Sequence, residues 1–179
     1  MKIIGIGGSL RPDSQTYAAL KIALRLVEEM HGSSELIDLR EMHLPFCDGG
    51  QDYPGYPDVA KLRDKMKTAN GVIVATPEYH GSVSGVLKNA LDLLDETHVE
   101  GKVFLLIGVL GGEHSTNAVN SLRTICRHLH AWVIPDQVVI PNAARAFDSA
   151  GDLVDPAIHK RLHSCVQSLI ANTHKLTRE

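Results

Sequence analysis

Apolar residues recur along this chain in two rhythms that alternate from one end to the other. The first is a short unbroken run closed by glycine, "KIIGIG" at 2–7, as expected of a parallel strand covered on both faces. The second runs from Ser14 to Met30, where Ala18, Ile22, Leu26 and Met30 recur every four residues with Leu20, Leu24 and Val27 between them. That spacing predicts an amphipathic helix ended by His31-Gly32. The alternation continues with strands at 35–39 ("ELIDL"), 71–76 ("GVIVAT") and 102–110 ("KVFLLIGVL"), and a broken strand at 131–140 interrupted by Pro135. Helices are expected at 59–68, 84–95 and 117–130, with a last one after Pro156. Strands alternating with helices of this length predict an α/β fold, an open parallel sheet with helices on both faces, because right-handed crossovers place them there. No internal repeat or low-complexity segment interrupts the pattern. The one long irregular stretch is 40–58, rich in Gly and Pro, and a connection of that length in a compact domain is often functional.

Composition narrows the function classes. A chain of 179 residues, 44% hydrophobic and 22% charged, is read as one domain spanning 1–179. The formal net charge of −3, with no basic block, argues against nucleic acid or an anionic membrane as partner. A signal-peptide pattern and an apolar segment near membrane-spanning length are both missing, so a cytoplasmic protein is expected. Cys47, Cys126 and Cys165 lie far apart without a C-x-x-C, which suggests buried or incidental thiols rather than a disulfide framework or zinc site.

Three loops leave the ends of the strands at residues 7, 76 and 109, and in open α/β sheets ligands bind at that edge where strand order reverses. The first, "GIGGSLRPDSQT", fails the dinucleotide pattern because Leu10 stands at its third glycine, and it lacks the G-K-[ST] of a Walker loop. What remains is Ser9, Arg11, Ser14 and Thr16 around the start of a helix, where free backbone N–H groups favour an anion such as a terminal phosphate. The plainer alternative is that Ser14 caps the helix and Arg11 is a surface charge. The second loop places Pro77, Glu78, Tyr79, His80, Gly81 and Ser82 directly after a buried strand, with small residues that would let backbone N–H groups meet the polar edge of a planar ring. In the third, Gly111 and Gly112 strip away side chains so that backbone can approach a ligand.

"GSLRPDSQT", "TPEYHGSVSGVLKNALDLL" and the glycine pair at 111 and 112 together resemble the NADPH-dependent FMN reductase family, whose patterns are G-S-x-R-x-x-S-x-N and P-E-Y-N-x-S-x-x-G-x-L-K-N-x-[IL]-D. The resemblance implies a flavodoxin-like five-stranded sheet of order 2-1-3-4-5. It also implies FMN as cofactor and NADPH or NADH as hydride donor. By the same resemblance Ser9, Arg11, Ser14 and Thr16 would hold the FMN phosphate and Pro77, Glu78, Tyr79, His80, Gly81 and Ser82 would line the isoalloxazine, with Gln15, Gly111 and Gly112 also among the cofactor-binding residues. Two positions depart from the family, Thr16 and His80, each standing where Asn is common. The implied activity passes electrons from NAD(P)H through flavin to a small-molecule acceptor, a quinone, azo compound or free flavin, by a ping-pong scheme. No protein acid or base is required, since the cofactors carry the chemistry.

The resemblance further implies a homodimer or homotetramer. Helix 86–94, with Val86, Leu87, Leu91 and Leu94, is the candidate interface, and 40–58 the candidate lid. Two other classes remain open at this stage, a flavodoxin-like electron carrier and a nucleotide-handling transferase on the same fold. The pairs His128/His130 and His159/His163 have no neighbouring acidic or thiolate ligand, so no metal site is expected. Glu78 lacks a nucleophile to serve as general base, and nothing near Cys47 suggests a lowered pKa.

Overall fold

Five parallel strands and one short antiparallel strand form the sheet in a computed structural model that describes residues 1–177. They are β1 (Lys2–Gly7), β2 (Ser33–Asp38), β3 (Gly71–Tyr79), β4 (Ser82–Val83), β5 (Val103–Val109) and β6 (Trp132–Ile140). The helices are α1 (Gln15–Glu29), α2 (Pro57–Thr68), α3 (Gly85–Asp92), α4 (Glu96–Val99), α5 (Asn117–His128) and α6 (Pro156–Leu176). The strand order is β2-β1-β3-β5-β6, with β4 paired to β3; counting the five parallel strands alone, it is the expected 2-1-3-4-5. No helix among the described residues is long and apolar enough to cross a membrane.

The two-sided core explains why the strands read as unbroken apolar runs. All seven residues of β5 are buried. Val103, Leu105 and Ile107 pack beneath α1 and α6, while Phe104 and Leu106 pack against α2, α3 and α5 on the other face. Because successive strand side chains point to opposite faces, a strand covered on both sides has no polar position to spare. At the edge, β6 takes a register shift between Phe104 and Leu106, which accommodates Pro135 without a ladder donor. Arg123 covers the bulge by donating to the carbonyls of Ile134 and Pro135.

Four local expectations are revised. Strand β3 runs three residues past Thr76 because Glu78 and Tyr79 pair with Val83 and Ser82. The helix expected over 84–95 ends at Asp92, and Asp95 starts α4 by accepting from the Thr97 N–H, with buried His98 completing a capping box. Leu87, Leu91 and Leu94, expected at an interface, lie in the core, leaving only Val86 partly exposed; helical periodicity marks an apolar face without saying what covers it. Segment 40–58, the candidate lid, is tied to the helices beside it. The Asn89 amide accepts from the Cys47 N–H and donates to the Pro45 carbonyl, and Arg63 holds the carbonyls of Gln51 and Leu93. Cys126 and Cys165 are buried, and desolvation pushes the Cys126 thiol up to about 12.

The tightest packing constraint sits where β1 ends. A Cβ at Gly8 would lie 2.5 Å from Ser84 Oγ and 2.7 Å from Leu87 Cβ, both core atoms of α3's start. Gly8→Ala should therefore cost about 2 kcal/mol of unfolding free energy through overpacking, read as a lower urea midpoint at unchanged slope. A midpoint equal to wild type would mean that α3 moves away without cost.

Candidate functional site

The three loops singled out from sequence come together at the carboxyl edge of neighbouring strands β1, β3 and β5. After β1 the chain turns toward β2, and after β3 it turns the other way toward β5, so the crevice of an open α/β sheet falls between β1 and β3.

The first loop is built on Tyr17. Its hydroxyl donates to the Gly7 carbonyl at 2.9 Å and accepts from the Leu39 N–H at 2.8 Å, locking the ends of β1 and β2 to α1. Desolvation raises the pKa of this buried phenol far above its ordinary value. Arg40 lies 4.2 Å over the Tyr17 ring, forks onto Asp38, and reaches the carbonyls of Arg11 and Pro12 at 3.3 and 3.2 Å. The hydrogen bonds from Arg40 hold the Asp38 carboxyl below the usual carboxylate range, burial opposing them. Since carbonyl and N–H of a trans peptide point opposite ways, drawing the Pro12 carbonyl to Arg40 turns the Asp13 N–H away from it.

Ser14 caps α1 by accepting from the Tyr17 N–H, as the plainer alternative had it. The N–H groups of Gln15 and Thr16 belong to the unpaired first turn, and among the described residues neither has a partner. Ser9 is buried and accepts only a long bond from the Arg11 N–H, so its hydroxyl proton is free; the Thr16 hydroxyl, in a buried residue, also has no partner among the described residues. Arg11 is exposed and paired with Asp13 at 3.2 Å. Its guanidinium can meet an anion above the loop by exchanging that carboxylate.

Beneath the crevice the first and second loops are joined by hydroxyls that the sequence did not single out. Ser84 Oγ donates to the Gly8 carbonyl at 2.5 Å and accepts from the Leu87 N–H, which caps α3. Thr76 Oγ1 accepts from the Ser84 N–H and donates to the Pro77 carbonyl. The second loop is a tight hairpin turned by His80 (φ 51°) and Gly81 (φ 75°), the two-residue geometry that demands left-handed backbone at both positions. His joins Asn among the side chains that tolerate this region, so His80 turns this hairpin where the resemblance leads one to expect Asn. Tyr79 is 47% exposed at the hairpin's end. Glu78 points elsewhere, its Oε2 accepting from the Ala118 N–H of α5 at 3.0 Å.

The third loop is anchored by Leu110, whose N–H meets the Ile140 carbonyl, and by Gly112, whose carbonyl accepts from the Asn142 N–H. A Cβ at Gly111 or Gly112 would meet nothing within 4 Å, and neither has a positive φ. Neither packing nor backbone conformation calls for glycine there, and the bare backbone would let a ligand come close. Depressions of about 480 Å³ beside the first loop, bordered by Gln15, Lys21 and Arg40, and about 640 Å³ beside the third, bordered by Glu113 and Asn117, flank this edge.

These residues fit a flavin mononucleotide. A helix start with free N–H groups and two hydroxyls with a proton to give suits the phosphate, and a bare glycine pair and a tight hairpin at neighbouring strand ends suit the ring.

Comparison with known proteins agrees. The sequence profile of the NADPH-dependent FMN reductase family matches residues 1–145. The chain is 34% identical over 160 residues to an NADPH azoreductase of Bacillus sp. strain OY1-2, covering 89% of this chain and 87% of that one. It is 33% identical over 175 residues to an NAD(P)H-dependent FMN reductase of Pseudomonas aeruginosa, covering 94% and 93%. In fold it is similar to the flavoenzyme NAD(P)H:(acceptor) oxidoreductase FerB of Paracoccus denitrificans, with a TM-score of 0.81 at 23% identity over 97% of each chain. An archaeal flavodoxin superposes with a TM-score of 0.65 at 15% identity, covering 99% of this chain and all of that one. With its profile matched over most of its length by the same motifs that build the crevice, the chain belongs to the NADPH-dependent FMN reductase family and is an NAD(P)H-dependent FMN oxidoreductase.

Proposed function

We propose that FMN sits across the three loops with its phosphate on the start of α1 and its ring between the 77–83 hairpin and Gly111–Gly112. NAD(P)H and then a quinone, azo compound or second flavin would use the same open ring face in turn. The observation that carries this reading is the set of free donors at the first loop, the Ser9 and Thr16 hydroxyl protons and the Gln15 and Thr16 N–H groups, at the sheet edge from which the 77–83 hairpin and the loop of Gly111–Gly112 also leave. When bound, the flavin supplies the atom that accepts and returns hydride.

The chain's own part is binding and orientation. Arg11 would leave Asp13 for the phosphate, Arg40 would hold the loop's carbonyls back, and the hairpin's backbone would meet the ring's polar edge. The name of the Bacillus relative supports an azo compound among the acceptors. A homodimer or homotetramer is part of the proposal. Its contact would be the groove of about 340 Å³ between α3 and α5, bordered by Lys88, Ile125, His128 and Leu129, in place of the buried face of α3. The cytoplasm, where NAD(P)H is plentiful, is the proposed location.

FMN should stabilise the fold far more than riboflavin. At about 100 times the dissociation constant, linkage gives roughly 2.7 kcal/mol, visible as a rise in Tm. Equal shifts from the two flavins would remove the phosphate assignment.

Two arginines separate contact from support. Arg11→Ala should weaken FMN about tenfold or more while leaving riboflavin binding and ligand-free stability near wild type, because its side chain is exposed and only its phosphate contact is lost. Arg40→Ala should weaken FMN and also lower ligand-free stability, because it frees the Arg11 and Pro12 carbonyls and uncovers Tyr17. Titration calorimetry and melting curves on both variants test the distinction, and identical behaviour of the two would refute it.

With FMN present, steady-state oxidation of NADPH by a quinone or azo dye should give parallel double-reciprocal lines. Intersecting lines would mean that donor and acceptor occupy the site together, and no NADPH oxidation by flavin-loaded protein would favour an electron carrier.

A further inference from the structure

Helix α5 begins at the flavin-facing edge without a cap of its own. Thr116, at its N-cap position, makes no capping hydrogen bond, and its first turn holds no acidic residue. Ser115 takes only the Asn117 N–H, at 3.2 Å. The missing cap comes from another element: Glu78, in the last residues of β3, accepts from the Ala118 N–H at 3.0 Å through Oε2. Its negative charge also meets the partial positive charge of the helix end. The two parts touch again across the turn, since the Asn117 amide lies 3.6 Å from where a Cβ of Gly81 would stand.

This contact does more than complete a helix. Glu78 belongs to the hairpin that carries Tyr79, His80, Gly81 and Ser82, and Ala118 belongs to the helix entered directly from the loop of Gly111 and Gly112. One carboxylate therefore ties the second loop to the far end of the third. Hairpin β3–β4 has only two paired positions, Glu78 with Val83 and Tyr79 with Ser82, too few to hold its orientation alone. We infer that Glu78 is a positioning residue, which through the N-terminus of α5 fixes the separation of the two loops between which the flavin ring sits. The inference rests on the proposed FMN site for its consequence, though the tether itself is independent of any ligand.

Four proteins test it: wild type, Glu78→Gln, Glu78→Ala and the double variant Glu78→Ala/Thr116→Asn. Asn is a better N-cap than Thr and carries no charge, so it returns a cap to α5 without reconnecting the hairpin. Each is measured without flavin by melting temperature and amide hydrogen exchange at 79–82 and 111–116, and with flavin by fluorescence titration of FMN. Glu78→Ala should lower the melting temperature, speed exchange in both loops and weaken FMN about tenfold. Glu78→Gln, which keeps a neutral acceptor, should fall between. In the double variant the melting temperature should recover while loop exchange stays fast and FMN stays weak. Recovery of FMN affinity together with melting temperature would overturn the inference, leaving Glu78 as a helix cap only. Wild-type exchange in Glu78→Ala would overturn it as well. If FMN fails to bind wild type, the site assignment falls, while the exchange data made without flavin still decide the tether.

Discussion

The closeness of the chain at Gly8 to the start of α3 is the constraint on which the rest of the site depends. The Ser84 hydroxyl has one short bond to the Gly8 carbonyl and one to the Leu87 N–H, and no side chain fits between the two segments. Loss of that hydroxyl would leave a buried carbonyl unpaired, which costs about 1–3 kcal/mol, more than the net worth of the bond itself. The Gly8 N–H meets the Ala75 carbonyl, so the sheet ladder continues for one residue beyond β1 before the two chains part. The crevice opens where β1 and β3 separate, and Ser84 sets how soon.

Rigidity at this edge comes from the strands beneath it. β1, β3 and β5 have helices on both faces, and their residues up to the loops are almost wholly buried. Loops mounted on such a platform can be short and still hold their donors in place. The supports are polar and specific: Tyr17 between β1 and β2, Ser84 between the first and second loops, Thr76 within the second, Glu78 between the second and third. Each satisfies its own hydrogen-bonding needs inside the protein, and among the described residues no buried side-chain polar atom lacks a partner.

Much of this was legible in the sequence, and the exceptions have physical reasons. The short unbroken run at β5 reads as a strand covered on both faces and the periodicity of 14–30 as a helix, so their alternation along the chain carried the architecture. The loop residues Ser9, Ser14, Thr16 and Gly111–Gly112 were identifiable because small and hydroxylated residues stand out between apolar elements. Arg40, Ser84 and Glu78 were not assigned their roles. Arg40 reaches back 28 residues to the Pro12 carbonyl, Ser84 reaches 76 residues to Gly8, and Glu78 reaches 40 residues to Ala118. Partners so distant in sequence are set by tertiary packing, which no local spacing encodes. The burial of Leu87, Leu91 and Leu94 was equally hidden, since an apolar stripe looks alike whether a sheet or a second subunit covers it.

The three supports also decide which helix end can receive an anion. Helices α1, α3 and α5 all start at the same edge, each with a partial positive charge of roughly half a unit. At α3 the capping hydroxyl is held between Leu87 and Gly8 and sealed under the crevice, with Ser84 itself 1% exposed. At α5 the Glu78 carboxylate already opposes the helix charge and would repel a phosphate. Of these three starts α1 is the open one, because Ser14 satisfies a single N–H and leaves those of Gln15 and Thr16 to an incoming group. Asp13 pairs there with Arg11, the cation that an arriving phosphate would take over. The placement of the proposed phosphate thus follows from how the other two helix ends are used.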